Sequence, residues 1–291
     1  MPFFSVIIPT YNRYESLKKA IDFLLIHQTF RDFELIVVDD GSTDETHQIE
    51  DEYRDQLVYI KQKNYGVSKA RNVGIANSNS PYISFHDSDD LWYPRKLENQ
   101  YMYILNNPDF LINQTDEIWI RDGVRVNPMK KHRKREGDIF LDSLELCLIS
   151  PSCVAMTREL FERYGLFDEN LPVCEDYDLW LRITLKERVG LIDKKLVIKY
   201  GGHESQLSKK YWGMDRFRVY SIIKLLIHHG NEINPEYQDR AIEVAKKKCA
   251  ILLQGALRRQ NDVFADTIKK IIECIDNYNY NRISLENLLK I

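Results

Sequence analysis

The sequence predicts an α/β protein whose mostly parallel sheet is flanked by helices. Over the first hundred residues, short β-rich runs alternate with helical patterns, which is the order that strand–helix–strand units give. The strand runs are almost wholly apolar, as is typical of strands covered on both faces. Polar segments follow these runs, and parallel sheets bind their ligands at the carboxyl ends of the strands.

Four strands are predicted in the first ninety residues. Each is a short run rich in β-branched, aromatic or other apolar residues, and each is followed by a polar segment or a proline. They cover residues 6–8, 34–38, 57–61 and 82–85. A further strand-like run, residues 117–121, precedes a turn at Asp122 and Gly123.

The predicted helices begin at capping signals. Asn12 with Glu15 precedes the first helix, and Ser42 with Glu45 precedes the second. Pro94 stands at the start of the fourth, a position that proline favours. The other helices are predicted at residues 67–76, 158–164 and 177–186 and, almost without interruption, from about residue 211 to the end.

Composition and charge exclude several classes of protein. The 291 residues contain 41 lysines and arginines and 44 aspartates and glutamates, so the net charge of −3 gives no global basic field for binding nucleic acid. The apolar runs are far shorter than the roughly 20 residues of a membrane-spanning helix. Five cysteines without a CxxC pair predict neither a disulfide framework nor a structural zinc site.

The amino terminus lacks the basic and apolar regions of a signal peptide. We therefore expect a cytoplasmic protein, in keeping with the cysteine usage. The oligomeric state is left open by the sequence.

The strongest chemical signal is the acidic run after the strand at residues 82–85. Asp87 and Asp89 are separated by one residue, and in an extended segment such side chains point the same way. Two carboxylates in one cleft repel each other unless a cation neutralises them, and hard oxygen ligands suit Mg²⁺ or Mn²⁺. A solvated turn with helix-capping aspartates is the alternative.

Two other acidic segments are candidates for chemistry. Asp39 ends the second strand, where a carboxylate can bind a nucleobase or a ribose, the alternative being a turn with a helix cap. Asp176 directly precedes an apolar helix, either as a cap or as a general base on a hydroxyl group. The chain has no GxGxxG and no GxxxxGK[ST] motif, which disfavours a dinucleotide cofactor and a P-loop.

Taken in order, these segments resemble family 2 glycosyltransferases, which have the GT-A fold. Five motifs carry the resemblance, and together they cover about the first two-thirds of the chain. They are Ser5 to Arg13 (SVIIPTYNR), Val37 to Asp44 (VVDDGSTD), Gly66 with Ala70, Arg71, Asn72 and Gly74, Phe85 to Asp90 with Pro94 and Leu97, and Glu175 to Trp180 (EDYDLW).

The resemblance implies a nucleotide-sugar site in the first half of the chain. Pro9, Thr10 and Tyr11 resemble the loop that packs on the nucleobase, and Asp39 resembles the acid that binds the uracil imide. Arg71 resembles the arginine near the base or the phosphates. The implied donor is a nucleoside diphosphate sugar, with a UDP-sugar favoured.

The resemblance also implies a metal site and a base. Asp87 and Asp89 match the family's DxD pair, Asp89 as the better candidate for direct metal contact and Asp87 for ribose or bridging contacts. Asp176 matches the general base, with Glu175 supporting it, and His203 lies where some members supply a further metal or phosphate contact.

The implied enzyme is a metal-dependent hexosyl or related transferase that inverts the anomeric configuration and uses Mn²⁺ or Mg²⁺. Its acceptor would be a saccharide or a lipid-linked saccharide in polysaccharide or glycoconjugate biosynthesis. Residues 1–205 are expected to form the catalytic GT-A domain, with a nucleotide-binding half at 1–105 and an acceptor half at 106–205. Residues 206–291 are expected to form a helical carboxy-terminal extension.

Two other functions compete with this one. A sugar nucleotidyltransferase would ordinarily have a glycine-rich loop with a basic residue after the first strand, where this chain has Pro9 to Asn12. A non-catalytic scaffold would bind an anionic surface through the basic run from Lys130 to Arg135. We expect that run to be an exposed loop on the acceptor side, in peripheral contact with the inner face of a membrane.

Overall fold

The computed structural model describes residues 1–202, 207–230 and 232–289, and in these a nine-stranded sheet carries helices on both faces. The strands are β1 (Phe4–Thr10), β2 (Phe33–Asp39), β3 (Val58–Lys61), β4 (Tyr82–Phe85), β5 (Leu91–Trp92), β6 (Ile112–Arg121), β7 (Val124–Val126), β8 (Val154–Thr157) and β9 (Val189–Gly201). The order across the sheet is β3-β2-β1-β4-β8-β6-β9-β5, and β7 pairs with β6 alone. The predicted α/β architecture is confirmed.

Helices connect and cover the strands. They are α1 (Tyr14–His27), α2 (Gln48–Glu52), α3 (Val67–Ala76), α4 (Lys96–Asn106), α5 (Phe140–Glu145), α6 (Glu159–Tyr164), α7 (Glu175–Thr184), α8 (Leu207–Lys210), α9 (Asp215–His229), α10 (Pro235–Arg258), α11 (Asp262–Asp276) and α12 (Glu286–Leu289). No helix in these described parts of the chain is long and apolar enough to cross a membrane.

The first four strands form the parallel half of the sheet. β1 lies between β2 and β4 in parallel register, with Thr10 beside Asp39 and Ile7 beside Phe85. The other half is mixed, because β8 runs antiparallel to both β4 and β6. It follows that β6 is parallel to β4, so its carboxyl end lies at the same edge of the sheet as those of β1, β2 and β4.

Both predicted capping pairs are wrong. Asn12 has a φ of 51°, and its side chain accepts a hydrogen bond from the Thr43 backbone N–H at 2.7 Å, across two loops. Asp44 instead accepts from the backbone N–H groups of Tyr14, at 3.2 Å, and Thr46, at 3.0 Å. One carboxylate thus serves the starts of two helices, because the loops after β1 and β2 pack together.

Apolar side chains form three clusters. One face of the sheet packs on α1 and α4, and the other on α3, α6 and α7. A third cluster joins α5 and α7 to α9, α10 and α11. The carboxy-terminal helices therefore pack on α7, the helix that begins with Glu175 and Asp176.

Candidate functional site

The candidate site lies at the carboxyl edge of the parallel strands. β1 ends at Thr10, β2 at Asp39 and β4 at Phe85, side by side in register. Loops that leave neighbouring parallel strands at one edge converge there, so side chains far apart in sequence become neighbours.

The acidic run after β4 forms a tight turn, not the extended segment predicted. The Asp90 backbone N–H donates to the Asp87 carbonyl at 2.9 Å, which closes the turn. Asp87 and Asp89 are partly exposed, whereas Ser88 and Asp90 are buried. The two predicted ligands therefore remain accessible although the backbone differs from the expectation.

Arg71, on α3, joins two of the predicted acidic segments. Its guanidinium donates to Asp87 at 2.8 Å and to Glu175, and it lies 5.3 Å from the Phe167 ring centre. Arg71 is only 3% exposed. Burial disfavours its charge, but the carboxylates of Asp87 and Glu175 outweigh burial and raise the pKa of Arg71 above its usual value. The charged group thus ties the acidic turn to the first turn of α7.

The first turn of α7 presents a buried and an accessible carboxylate. Burial raises the pKa of Glu175 to about 7, although the Arg71 charge opposes this. Asp176 is partly exposed and accepts hydrogen bonds from the Tyr177 backbone N–H at 2.7 Å and the Cys147 thiol at 3.4 Å. The residue before the helix is Cys174, with a left-handed φ of 59°, and no side chain among the described residues caps α7. Asp176 is therefore not the N-cap residue of α7, but its hydrogen bond to the Tyr177 backbone N–H serves the first turn of the helix.

The predicted nucleobase contacts lie where β1 and β2 end. Pro9 and Thr10 are buried within β1, the Thr10 hydroxyl oxygen has no hydrogen-bond partner in the described parts of the chain, and Tyr11 is 45% exposed. Asp39 is fully buried. Its two oxygens accept from the Ser42 backbone N–H at 2.8 Å and the Tyr59 hydroxyl at 2.7 Å.

Asp40 has a positioning role that the sequence did not reveal. Its carboxylate accepts from the backbone N–H groups of Tyr65, at 2.9 Å, and Gly66, at 2.8 Å. Gly66 has a φ of 97°, a left-handed conformation that glycine adopts without strain. This loop leads directly into α3, so Asp40 fixes the start of the helix that carries Arg71.

Three more residues at the acidic turn were missed. The Arg13 guanidinium is hydrogen-bonded to Asp89. The Ser152 hydroxyl donates to Asp90 at 2.6 Å and accepts from the Asp87 backbone N–H at 3.0 Å. Lys199, on β9, faces the turn, and nearby carboxylates raise its pKa against the effect of burial. Only Arg13 belongs to a recognised motif, as the last residue of Ser5 to Arg13, although no role was predicted for it; Ser152 and Lys199 reach the turn through tertiary packing that leaves no local signal.

The acidic turn fits a divalent cation in its donor chemistry. Burial raises the pKa of Asp90 well above its usual value, and the charges of Asp87 and Asp89 add to this while Lys199 opposes it. A cation would relieve this crowding of like charges. The described residues contain no cluster of three or more His, Cys, Asp or Glu side chains that could hold a metal alone. Magnesium ions are commonly held by one or two carboxylates together with a substrate's phosphates. His203 lies outside the described residues.

An open cleft of about 290 Å³ adjoins the turn. Mostly charged side chains line it, together with a serine, a leucine and a tyrosine; the residues are Arg13, Ser16, Lys19, Asp89, Asp90, Leu91 and Tyr200. Asp89 therefore faces a space that a ligand can enter.

The basic run is not the wholly exposed loop that was predicted. Lys134 is 5% exposed, and its ammonium lies 3.5 Å from Glu117. Arg135 forms an ion pair with Asp142 at 2.7 Å. Two of the six basic-type residues are therefore engaged within the protein, because the chain turns inward after Arg133.

The profile of glycosyl transferase family 2 matches residues 5–165. This chain belongs to that family. The family match ends before α7, so Glu175 and Asp176 lie beyond the matched region.

Two relatives illustrate the similarity. An uncharacterized glycosyltransferase of Rickettsia typhi is 36% identical over 210 residues, which are 70% of this chain and 65% of that protein. The chain thus spans slightly less than two-thirds of that relative's length. UDP-Glc:alpha-D-GlcNAc-diphosphoundecaprenol beta-1,3-glucosyltransferase WfaP of Escherichia coli is 29% identical over 193 residues, 64% of this chain and 72% of that protein.

Solved structures share the fold of this family 2 glycosyltransferase. S. aureus TarS 1-349 in complex with UDP-GlcNAc matches with a TM-score of 0.63 at 21% identity, over 96% of this chain and 93% of that one. The mannosyltransferase PcManGT from Pyrobaculum calidifontis, in complex with GDP-Man and Mn²⁺, matches with a TM-score of 0.57 at 15% identity, over 99% and 87%. The predicted GT-A fold is confirmed.

Proposed function

We propose that this chain transfers a sugar from a UDP-sugar to a hydroxyl acceptor with inversion at the anomeric carbon. The observation that carries the proposal is the Arg71 bridge, which brings the Asp87 turn and the first turn of α7 into one site. Donor and acceptor would meet between these segments. The names of WfaP, for UDP-Glc, and of TarS, with UDP-GlcNAc, support a uridine donor.

The nucleotide would bind at the ends of β1 and β2. Pro9, Thr10 and Tyr11 would pack on the base, with the exposed Tyr11 ring supplying most of the contact. Asp39 already accepts two hydrogen bonds, and each carboxylate oxygen has a second lone pair for the uracil imide. Asp87 would contact the ribose, and Arg71 would hold Asp87 in place while lying near the diphosphate.

Asp176 would act as the general base. It would take the proton of the acceptor hydroxyl, whose oxygen then attacks the anomeric carbon from the face opposite the diphosphate. Glu175 would support it by holding Arg71. The accessibility of Asp176, beside the buried Glu175, favours this division of roles.

Asp89 would hold a divalent ion, Mg²⁺ or Mn²⁺, with His203 proposed as a second ligand. When bound, such an ion neutralises charge on the departing diphosphate. The Mn²⁺ in the PcManGT complex supports the assignment. The acceptor would be a saccharide or a lipid-linked saccharide, in keeping with the diphosphoundecaprenol in the name of WfaP.

Replacing the proposed base tests the mechanism. In Asp176→Asn, UDP affinity should change less than about twofold, while transfer should fall by at least roughly a hundredfold, the scale of general-base catalysis. Transfer is measured with a screen of nucleotide sugars and candidate acceptors, and NMR of the product gives the anomeric configuration. Asp51→Asn, at a carboxylate 78% exposed on α2, is the matched control. Full activity in Asp176→Asn, or retention of configuration, contradicts the mechanism.

The metal assignment has a separate test. Chelation with EDTA should weaken UDP binding by roughly tenfold or more, and Asp89→Asn should weaken it similarly without adding to the effect of EDTA. Isothermal titration calorimetry with Mn²⁺ present or removed measures both. If UDP binds equally in all four conditions, Asp89 holds no catalytic metal.

A further inference from the structure

The hairpin of β6 and β7 and the segment after it carry exposed cations that the glycosyl transfer does not use. We call this the basic hairpin surface. Its apolar side chains are Val124 and Met129, which are 67% and 60% exposed. Its exposed cations are Arg121, Arg125, Lys130, Lys131 and Arg133.

Packing contacts hold the two parts of this surface together. Trp119 pairs with Val126 across the hairpin, and the His132 ring lies 5.3 Å from the Trp119 ring. The Arg121 guanidinium lies 5.5 Å from the same ring. The 3₁₀ turn Lys130–His132 is therefore attached to the face of the hairpin that carries Trp119, Arg121 and Val124, whereas Arg125 pairs with Ile120 on the other face.

The surface is electrically distinct from the rest of the chain. Residues 119–133 contain five lysines and arginines and a single acid, Asp122, which gives +4 in a protein whose net charge is −3. None of the five cations forms an ion pair with a carboxylate among residues 1–202, 207–230 and 232–289. Their charges are thus available to a partner.

Sheet topology places this surface beside the candidate site. Ile83 of β4 and Ile112 of β6 both pair with Met156 of β8, so the end of β4 is level with Gln114. β6 runs on for seven residues to Arg121. The loop after β4 runs alongside this extension: the Tyr200 backbone N–H donates to Asp90 at 3.4 Å, and Tyr200 pairs with Ile120. The acidic turn is therefore level with the end of β6, directly beside the hairpin.

We propose that the basic hairpin surface binds the anionic face of a lipid bilayer. Clustered cations draw a protein to anionic lipids, and exposed apolar side chains among them can enter the boundary of the acyl chains. The exposure of Val124 and Met129 therefore favours a membrane over nucleic acid, because surfaces that bind single-stranded nucleic acid combine cations with aromatic side chains on which the bases stack. Bound this way, the carboxyl edge of the sheet would face the lipid. This inference holds whether or not the chain transfers sugar.

Flotation of the intact protein with vesicles tests the inference. Binding to phosphatidylcholine vesicles that contain phosphatidylglycerol should exceed binding to phosphatidylcholine alone, and added salt should weaken it. Lys130→Glu with Lys131→Glu should lower affinity by at least about thirtyfold, since each lysine near such a surface contributes roughly fivefold.

The chain offers a matched control pair. Lys269→Glu with Lys270→Glu makes the same charge change at two adjacent exposed lysines on α11 and should leave vesicle binding unchanged. Val124→Thr with Met129→Gln should weaken binding most at high salt, where only apolar contacts persist. Circular dichroism verifies the fold of each variant.

Three outcomes overturn the inference. Equal loss of binding in both lysine pairs would indicate a general charge effect. Salt-dependent binding to a single-stranded nucleic acid homopolymer, without binding to anionic vesicles, would assign the surface to nucleic acid. Concentration-dependent dimerisation abolished by Val124→Thr with Met129→Gln, again without vesicle binding, would assign it to a second copy of this chain.

Discussion

His86 is a fully buried histidine directly before the acidic turn, and it links stability to pH. Its Nδ1 lies 2.9 Å from the Asp87 carbonyl, and Nε2 has no hydrogen-bond partner among the described residues. Burial lowers the pKa of His86 to about 4, whereas a histidine in an unfolded chain titrates near 6.5. Between these values the unfolded chain binds a proton that the folded protein does not.

Stability should therefore fall as the pH falls through this window. His86 alone should reduce the free energy of unfolding by about 2 kcal/mol between pH 7.5 and pH 5. His86→Asn keeps an N–H donor but does not titrate, so its loss of stability over the same interval should be smaller by that amount. Urea denaturation at both pH values measures the difference. Parallel pH dependence in the two proteins would show that His86 is protonated in the folded state.

The residues of the site were predictable where a motif names them and unpredictable where packing supplies them. Arg71, Asp87 and Glu175 belong to motifs, and the structure joins all three. Ser152, in the short 3₁₀ turn before β8, and Lys199, on β9, lie at the same turn. Their positions in the sequence have no regular spacing from the acidic residues, so no pattern could have identified them. The conformation of the turn was also missed, because alternating carboxylates occur equally in a strand and in a β-turn.

At the scale of the element, the close contact between α3 and β1 determines the position of Arg71, because Arg71 lies on α3. A Cβ added to Gly74 would lie 2.3 Å from Ile7 Cγ2, well inside contact distance. Ile7 is fully buried between neighbouring strands, so it has little room to yield. Gly74 is therefore what lets α3 approach the sheet closely.

Gly74→Ala should push α3 outward and lower the free energy of unfolding by about 1–3 kcal/mol, the usual cost of overpacking. Gly255→Ala on α10 is the control, since its added Cβ meets mainly the flexible end of Arg259. That substitution should be neutral or stabilise by up to about 1 kcal/mol through helix propensity. Thermal denaturation of both variants measures this. No loss of stability in Gly74→Ala would mean that α3 has space to accept a side chain.

The elements that were predicted share a clear local pattern, and the missed ones lack it. β1 is buried at all seven positions and was found from its apolar run. β9 is the longest strand, yet its exposed segment Asp193, Lys194 and Lys195 interrupts the apolar pattern where the pairing with β6 shifts register. β5 has only two residues, too few for a period-two signal to emerge. β8 was missed although, with four residues, it is as long as β3 and β4, which were predicted.

At the scale of the whole molecule, the carboxy-terminal helices are attached to the helix that carries the proposed base. Lys224 of α9 lies 2.6 Å from Asp168 and 3.3 Å from Asp178 of α7. The Tyr220 hydroxyl donates to Asp168 at 2.9 Å. The Lys224 ammonium helps to hold the pKa of Asp168 below its usual value although burial acts against it. Polar and apolar contacts thus both cross the proposed division near residue 205.

This continuity predicts a single cooperative unfolding transition. Trp180 lies in the cluster under the sheet, whereas the Trp212 ring lies 5.0 Å from the Phe264 ring of α11. In two variants that each retain only one of the chain's four tryptophans, Trp180 or Trp212, fluorescence should report the same urea midpoint. Leu225→Ala, at a buried position of the shared cluster, should cost about 2–5 kcal/mol and shift both midpoints equally. If Trp212 unfolds first, and Leu225→Ala moves its transition alone, residues 206–291 form an extension that is energetically separate from the catalytic domain.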